Sequence, residues 1–364
     1  MSGLRVALAC NRKVNVSVGA GAPPDALAEY DSLETVAALE RALLAGGHDV
    51  VLLEADETFL DTVRRVAPDI CFNIAEGLRG DAREAHVPAL LELLGVPYTG
   101  SKVLTQAISL DKGMTKRIWR DAGLPTPPFQ VFHRDDEGLD PALTFPLFVK
   151  PVHEGTGMGI SDRSIVDNES RLRQQIRWVI QTYRQPALVE RYLPGREFTV
   201  GLIGNARYSG ANRRSEIYDE GGFHLFPVLE IDATVGAGRG VYNTASKSYD
   251  PGEEGAPHYL CPADIPTTLE TELKRLTVEA FEAIEALDVG RVDFRMGRDG
   301  RPYLLEINTL PGLNPRVSDL CIMAQAEGFD YADLINEILN LALDRHQQVG
   351  ETRRRTDELF QTSM

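Results

Sequence analysis

Three oxygen-bearing side chains near the C-terminal end of the sequence could together hold a metal ion. Asp293 lies in a run of alternating apolar and polar residues, and a glycine-containing turn separates that run from the apolar stretch that carries Glu306 and Asn308. A hairpin of this shape can bring the three side chains together, because the alternation points Asp293 away from the apolar face. Oxygen ligands of this kind suit Mg²⁺ or Mn²⁺, which favour octahedral sites and keep positions open for water and phosphate oxygens.

The alternative is a surface hairpin whose acids are solvated, since Asp and Glu are mostly surface residues. The surroundings of Glu306 favour the metal site. This residue interrupts the apolar run LLEIN, and a carboxylate in such a run requires a compensating charge. The sequence therefore predicts a hairpin that binds a hard cation.

A lysine and a glycine-rich segment predict a phosphate site. Lys150 ends the strand-like run PLFVKP, where a buried ammonium needs an anion nearby. The segment HEGTGMGIS follows directly, and its glycines let the backbone approach a ligand and present N–H groups to phosphate oxygens. It lacks the Lys-Ser/Thr pair of a Walker loop, and a glycine-rich hairpin is also a common structural turn. Together with the oxygen-ligand cluster, these features predict a nucleoside triphosphate with bound metal.

Four other charged residues give weaker signals. Lys112 and Lys116 lie on one predicted helix, where the alternative is a solvent-exposed face. Glu190 and Glu197 lie on either side of a Pro-Gly turn between two strand-like runs. Carboxylates at such a hinge can accept hydrogen bonds from an adenine amino group and from ribose hydroxyls, although isolated acids are more often surface residues.

The first part of the chain predicts the scaffold for a ligand site. The strand-like runs LRVALA, DVVLLE and DICFNI alternate with helical patterns, one of them from about Ser32 to Ala45. This order predicts a parallel sheet with right-handed crossovers. No GxGxxG follows the first strand, so a dinucleotide fold is not supported. The loop from Glu76 to Pro88 follows the third strand, where open parallel sheets bind ligands, and a solvated loop is the alternative.

The remaining segments predict a mobile lid and two helices that have a structural role only. Residues 212–258 exceed the usual length of a connection, contain the strand-like run FHLFPVLEI, and end in a glycine-rich part that we interpret as a mobile lid. The alternative is a disordered surface insertion. Helical spacing from Leu269 to Leu287 and from Tyr331 to Leu343 predicts helices without chemistry. The tail, residues 347–364, is polar and is predicted to be loosely ordered.

The composition limits the possible partners. The 364 residues are enough for two or three domains, and the formal net charge of -16 disfavours nucleic acid, whose partners carry basic surfaces. No stretch approaches the roughly 20 apolar residues of a membrane span. The four cysteines are far apart and form no CxxC, which is typical of reduced thiols in a cytoplasmic protein.

Seven segments in order resemble the ATP-grasp ligases, and within them the D-alanine-D-alanine ligase family. They are VPYTGS, SLDKGMTK, FVKPVHEGTGMGIS, LVERYLPGREFTV, HYLCPA, GRVDF and YLLEINTLPGLN. The resemblance implies an α/β fold, α+β in the ATP-binding part, with an N-terminal parallel-sheet domain at 1–101, a central domain at 102–195 and a C-terminal domain at 196–346. It also implies that ATP lies between the last two and that the reaction forms an amide from a carboxylate and an amine.

The resemblance also assigns roles by position. The cofactor-binding residues it implies are Lys112, Lys150, Glu154, Gly155, Gly157, Glu190 and Glu197. It makes Glu190 the adenine contact and Glu197 the ribose contact. The implied ligands of two Mg²⁺ or Mn²⁺ ions are Asp293, Glu306 and Asn308. The implied catalytic residues are Arg291 at the acyl phosphate and tetrahedral intermediate, Gly312 as a backbone donor, Lys247 at the terminal phosphate and Thr156 in place of a serine.

The sequence departs from the family pattern where substrate is chosen. The N-terminal glycine pair is absent, and the nearest acid to a first-substrate ammonium is Glu29 or Asp31. Ser248 replaces a tyrosine, and the serine expected after NTLPG is shifted to Ser318. The predicted substrate contacts are therefore Glu29, Glu76, Arg291 and Ser318. These departures leave the identity of both amino acids open.

Three hypotheses follow. The first is a cytoplasmic, homodimeric ligase that uses ATP and Mg²⁺ to join D-alanine to D-alanine for peptidoglycan precursor synthesis. The second is a relative that couples other amino acids or a peptide. The third is a nucleotide-binding regulator that has lost turnover, and the complete set of catalytic residues argues against it.

Overall fold

The computed structural model describes residues 3–19, 21–206, 216–238, 240–245 and 249–361, with side chains as far as residue 347. The strands are β1 Arg5–Cys10, β2 Asp49–Glu54, β3 Ile70–Asn73, β4 Phe129–Phe132, β5 Leu147–Pro151, β6 Ile165–Val166, β7 Ala187–Arg191, β8 Glu197–Gly204, β9 Phe223–Leu225, β10 Leu229–Asp232, β11 His258–Leu260, β12 Asp288–Met296 and β13 Pro302–Asn308. The helices are α1 Leu33–Ala45, α2 Phe59–Val66, α3 His86–Leu94, α4 Val103–Leu110, α5 Lys112–Asp121, α6 Glu169–Tyr183, α7 Thr267–Ala283, α8 Asp319–Ala326 and α9 Tyr331–Gln361. Within this part of the chain no helix is both long and apolar enough to cross a bilayer.

The N-terminal strands form the predicted parallel sheet, in the order β2-β1-β3. Strand β1 is buried almost throughout because helices cover both faces of the sheet. On one face α1 and α9 pack against it, and on the other α2 and α3 do so. Helix α1 begins where the sequence predicts, since the Ser32 hydroxyl accepts a hydrogen bond from the Thr35 N–H.

Two antiparallel sheets follow in the chain. One has the order β4-β7-β5-β6 and packs on α6. The other has the order β11-β10-β8-β12-β13, with β9 also paired to β8. Its apolar face packs on α7 through Val200, Val292 and Phe294. Because side chains alternate along a strand, the residues between these project from the opposite face, where the candidate site lies.

The predicted hairpin is confirmed as β12 and β13. Its register pairs Asp293 with Glu306 and Arg291 with Asn308, so all four side chains lie on the same face of the sheet. The register shifts between Asp293 and Phe294. The polar set is thus fixed on two adjacent strands of one sheet.

Two predicted element ends are wrong. Helix α7 ends at Ala283, before Leu287, because Glu285 and Asp288 adopt positive φ angles of 55° and 66° and turn the chain into β12. Helix α9 continues to Gln361, so the backbone of 347–361 is helical where a loose tail was predicted. This stretch lacks proline and is rich in Glu and Arg, which are good helix formers.

The long segment at 212–258 is structured in its described part. The run FHLFPVLEI forms β9 and β10, which both pair with β8. Strand β11, which begins at His258, extends the same sheet by pairing with β10. The edge of the sheet therefore comes from a segment that also borders the site.

Candidate active site

The three predicted metal ligands lie together on the polar face of the six-stranded sheet. The Arg291 guanidinium donates two hydrogen bonds to the carboxylate of Asp293, both 3.0 Å long. The Asn308 amide nitrogen donates to the same carboxylate at 3.2 Å, and the Thr199 hydroxyl donates to it at 2.6 Å. Asp293 is therefore held in one orientation, with Glu306 beside it on β13.

This donor set fits a hard cation. It consists of two carboxylates and one amide, and a rotation of the Asn308 amide by 180° would present its oxygen in place of its nitrogen. Across the described ranges no group of three His, Cys, Asp or Glu side chains could hold a metal. An ion at this place therefore needs the Asn308 oxygen together with water or phosphate oxygens, which is the usual arrangement for Mg²⁺ bound with a nucleotide.

Two lysines approach Glu306 from other elements. The Lys112 Nζ lies 3.6 Å from its Oε2, and the Lys150 Nζ lies 3.9 Å from the same atom. Lys112 is the first residue of α5, which Asp111 caps by accepting a hydrogen bond from the Met114 N–H. Both ammonium groups are buried, although the sequence alone left Lys112 on a possible solvent face. They form a cationic patch next to the carboxylate pair.

Glu190 is held between two buried lysines. Its carboxylate lies 2.9 Å from the Lys116 Nζ and 3.0 Å from the Lys150 Nζ. Burial alone would raise the pKa of Glu190, but the two cations outweigh burial and keep the pKa below its ordinary value. The role of this carboxylate as the adenine contact stays a prediction, and in this structure its partners are lysines.

Lys116 is a site residue to which the sequence interpretation gave only a weak signal and no role. Burial lowers the pKa of Lys116 to about 8, despite the nearby Glu190 carboxylate. The ammonium also donates to the Thr126 hydroxyl and to the backbone oxygen of Leu304. The signal was present in the spacing, because residues four apart on a helix, here Lys112 and Lys116, lie on one face.

Substitution of Lys116 by methionine should destabilise the protein by about 3 kcal/mol, because one oxygen of the buried Glu190 carboxylate loses its cation. Urea unfolding measures the change. Arg117→Met is the matched control, since Arg117 lies on the exposed face of the same helix and should cost less than about 0.5 kcal/mol. Equal stabilities of the two variants would contradict a structural role for Lys116.

A cavity of about 70 Å³ lies between the four-stranded and six-stranded sheets, and we call it the intersheet cavity. The predicted nucleotide and metal residues among its lining are Lys150, Gly157, Glu190, Glu197, Asp293 and Glu306. Glu197, the predicted ribose contact, is ion-paired with Arg295 at 3.2 Å. The lining thus brings together residues from both sheets that the sequence places more than a hundred positions apart.

The glycine-rich loop packs against the long segment. Gly157 has a φ of +70°, and a Cβ there would lie 2.7 Å from the Cα of Asn243, so only glycine fits. The Thr244 hydroxyl donates to the backbone oxygen of Thr156 at 3.2 Å. Lys247 and Ser248, which the sequence interpretation also placed near the phosphates and substrate, lie outside the described residues.

A second cavity, of about 300 Å³, lies beside the first, and we call it the acidic cavity. Tyr242 and Glu306 line both cavities, and Arg291 faces the acidic one. All the predicted substrate contacts line it, together with Gly312 and Asp31: Glu29, Glu76, Arg291 and Ser318. Ser318 is partly engaged, because its hydroxyl accepts a hydrogen bond from the Asn314 N–H at 2.9 Å.

Glu29 is occupied by protein partners. The Arg83 guanidinium donates to Glu29 at 2.6 Å and to Glu154 at 3.0 Å, and the Gly155 N–H also donates to Glu29. Gln185 completes the contacts of Glu154. These contacts tie the N-terminal segment to the glycine-rich loop. The roles of Glu29 at an ammonium and of Glu154 at a cofactor stay predictions. Arg83 was missed, since no spacing in the sequence connects it with either glutamate.

Arg291 is fixed at the border of the two cavities. Besides its bonds to Asp293, it lies 3.4 Å from the Asp319 carboxylate, which also accepts a hydrogen bond from the Tyr242 hydroxyl. Burial lowers the pKa of Arg291, but Asp293 and Asp319 outweigh burial and keep the pKa above its ordinary value. Arg291 is therefore permanently charged, and the two carboxylates fix the orientation of its guanidinium. Asp319 is a further site residue that the sequence interpretation missed.

Two antiparallel sheets that face each other across a cavity lined by Lys150 and several carboxylates, next to a parallel sheet, define an ATP-dependent ligase of the ATP-grasp class. Residues 118–340 match the family described as D-ala D-ala ligase C-terminus. The chain belongs to the D-alanine-D-alanine ligase family. The predicted fold class and enzyme class are thus confirmed.

Individual relatives cover most of the chain. A D-alanine-D-alanine ligase of Bordetella petrii is 33% identical over 318 residues, which are 86% of this chain and 89% of the relative. An uncharacterized protein of Sinorhizobium fredii, y4sG, is 37% identical over 313 residues, or 84% of this chain and 86% of the relative. The crystal structure of the D-alanine-D-alanine ligase from Bacillus anthracis complexed with ATP has a TM-score of 0.67 at 21% identity, covering 95% of this chain and 99% of that one. This last likeness shows the fold.

Proposed function

We propose that this protein uses ATP and Mg²⁺ or Mn²⁺ to join the carboxylate of one amino acid to the amine of another through an acyl phosphate. The supporting observation is that Arg291, Asp293 and Glu306 lie with Lys112 and Lys150 at the border of the two cavities. Phosphoryl transfer depends on positioning and on neutralisation of charge at the phosphates. This group of residues supplies both.

Residues on and around the polar face of the six-stranded sheet activate the substrate carboxylate. Lys112 and Lys150 bind the phosphates from one side, while Asp293, Glu306 and Asn308 would hold the metal. When bound, the metal neutralises the charge that develops on the phosphate oxygens. A carboxylate in the acidic cavity then lies next to the terminal phosphate, because Glu306 lines both cavities.

Arg291 provides the second step. Its guanidinium faces the acidic cavity, where it stabilises the acyl phosphate and the oxyanion that forms when the amine attacks. The Gly312 N–H is the second donor for this oxyanion. The long segment excludes water from the acyl phosphate, since its Tyr242 lines both cavities, and it opens as a lid for exchange of substrate.

D-alanine with D-alanine is the reference reaction, because the curated Bordetella relatives bear that name. It would place the protein in cytoplasmic synthesis of a peptidoglycan precursor, as a homodimer. Coupling of other amino acids is the second candidate, and one observation favours it: Glu29, the candidate ammonium contact, is ion-paired with Arg83, while other acids line the cavity. A regulator without turnover would have no use for an arginine held at the reacting carbonyl.

Phosphate release from ATP with Mg²⁺, measured across a panel of single and paired amino acids, tests the proposal. Release with D-alanine alone, together with a dipeptide seen by mass spectrometry, would establish the reference reaction. Release only with another pair would establish the second candidate. Absence of release with every amino acid and every pair would contradict ligase activity and favour the regulator.

A further inference from the structure

Three acids of the acidic cavity have no ion-pair partner within the described part of the chain. They are Asp31, Glu76 and Glu84, and all come from the N-terminal domain. The other acids of this cavity are neutralised: Glu29 by Arg83, Glu306 by the two lysines and Asp319 by Arg291. The acids without an ion-pair partner are therefore confined to one side of the cavity.

Within the described part of the chain, no cation is paired with these three acids. Arg83 and Lys112 act electrostatically on Glu84, and Arg83 also acts on Glu76. Arg83, however, is bound to Glu29 and Glu154 and to the backbone oxygen of His153. Lys112 is directed at Glu306 and at the backbone oxygen of Glu154. The cations that the structure describes near the cavity are thus engaged elsewhere, and a cationic ligand could pair with the three acids.

Asp31 is the acid whose environment points most directly to a ligand. Its Oδ2 atom is buried and accepts no hydrogen bond from any described residue. Its backbone is fixed, because its N–H donates to the oxygen of Asn11 and its oxygen accepts from the N–H of Lys13. A buried carboxylate oxygen without a donor is unfavourable, and a cationic ligand would offset that cost.

The protonation of the cluster agrees with a missing cation. Burial raises the pKa of Asp31 to about 8, with a further contribution from Glu54. Burial and Glu29 raise the pKa of Glu84 to about 7, and burial and Glu84 raise the pKa of Glu76. A bound cation would lower all three, so its binding at pH 7 should release protons.

We propose that one of the two amino acids joined by this enzyme has a basic side chain, an ammonium or guanidinium, and that Asp31, Glu76 and Glu84 bind its two positive groups. One cation is the α-ammonium that every amino acid carries, and it neutralises one of the three acids. A neutral side chain would leave the other two without a partner. The inference rests on the proposed ligase function for its reaction, but the binding part can be measured without turnover.

Space for such a side chain is present. Tyr30 lines the acidic cavity and also an open groove of about 950 Å³ on the N-terminal domain. Tyr30 and Gly77, the chain neighbours of Asp31 and Glu76, line the groove together with apolar residues such as Val18 and Leu78. A long side chain can therefore pass its methylene groups along apolar surface while its charged end stays near the carboxylates.

Isothermal titration calorimetry of the full chain with lysine, ornithine and arginine tests the binding step, in both stereochemical forms and with norleucine as the neutral analogue of lysine. We expect at least one basic amino acid to bind about tenfold or more tightly than norleucine, with proton release detected by comparing two buffers. Asp31→Asn and Glu84→Gln should each weaken that binding about tenfold. Asp81→Asn, an exposed acid in the same loop as Glu84, should leave it unchanged.

Measurement of phosphate release with the same amino acids distinguishes the proposed basic substrate from the proposed ligase function. Binding of a basic amino acid without turnover in any pair would uphold the binding part of this inference and overturn the ligase function, and with it the assignment of the basic amino acid as a substrate. Turnover of neutral pairs with unchanged KM in Asp31→Asn, and equal binding of lysine and norleucine, would overturn this inference and uphold the ligase. Thermal unfolding of Asp31→Asn and Glu84→Gln identifies a variant that fails to fold, and the comparison of lysine with norleucine on the parent protein does not depend on either variant.

Discussion

Replacement of Asp293 by asparagine should abolish ligation and leave the fold intact. Asp293 accepts hydrogen bonds from Arg291, Thr199 and Asn308, and it is a predicted metal ligand. Asparagine keeps the size of the side chain but removes its charge, so the metal loses a ligand and Arg291 loses its closest counter-ion. We expect kcat for phosphate release to fall by at least about 10²–10³-fold, the range for loss of one preorganised electrostatic contact.

The matched control is Asp299→Asn, an exposed carboxylate in the turn of the same hairpin. It should keep parental turnover, since its hydrogen bonds are to Tyr303 and the backbone of the turn. Urea unfolding should show a loss of less than about 3 kcal/mol for Asp293→Asn, because Asp319 still neutralises Arg291. Near-normal turnover of Asp293→Asn would refute the metal assignment.

Replacement of Arg291 by lysine should lower kcat by about 10²-fold or more and change the KM for ATP little. The guanidinium is buried. Two of its nitrogens donate parallel hydrogen bonds to Asp293, and the third lies 3.4 Å from the Asp319 carboxylate. A lysine keeps the charge but lacks the planar fork, so it cannot hold both carboxylates and also face the cavity. Because the proposed role is at the oxyanion, the loss should fall on the chemical step.

Arg301→Lys is the control for this change, since Arg301 is exposed near the turn of the same hairpin and should behave like the parent. Single-turnover and steady-state measurements together distinguish chemistry from binding. A raised KM for ATP with unchanged kcat would assign Arg291 to nucleotide binding instead. Unchanged kinetics in both parameters would remove it from the active site.

The acidic cavity argues against simply assigning to this chain the substrates for which its relatives are named. The side chains of the proposed activation step lie together in the described part of the chain, apart from Lys247, which lies outside it. The acidic cavity carries three acids that have no ion-pair partner among the described residues, and its Glu29 is paired with Arg83. Because the three acids come from the N-terminal part of the chain and the proposed activation residues from later elements, the proposed activation chemistry can stay the same while the choice of amino acid changes.

Much of the fold was predictable because it depends on local patterns. The alternation around Asp293 and Glu306 predicted the hairpin and the face on which both lie, and the structure confirms it. Ser32 predicted the start of α1 through its cap. The helix ends at Ala283 and Gln361 were not predicted, since they depend on backbone turns and on the absence of a stop signal, and neither changes hydrophobic spacing.

The sequence by itself determined the class of the protein. The seven ordered segments and the alternation of apolar and polar residues in the hairpin can be recognised without knowledge of the tertiary structure. Only the tertiary structure decided which charges neutralise each other: Arg83 pairs with Glu29, Lys116 and Lys150 share Glu190, and the Oδ2 atom of Asp31 has no donor among the described residues. The physical reason is that periodicity tells which face of an element a side chain occupies. What lies opposite that face depends on the packing of elements that are distant in the chain.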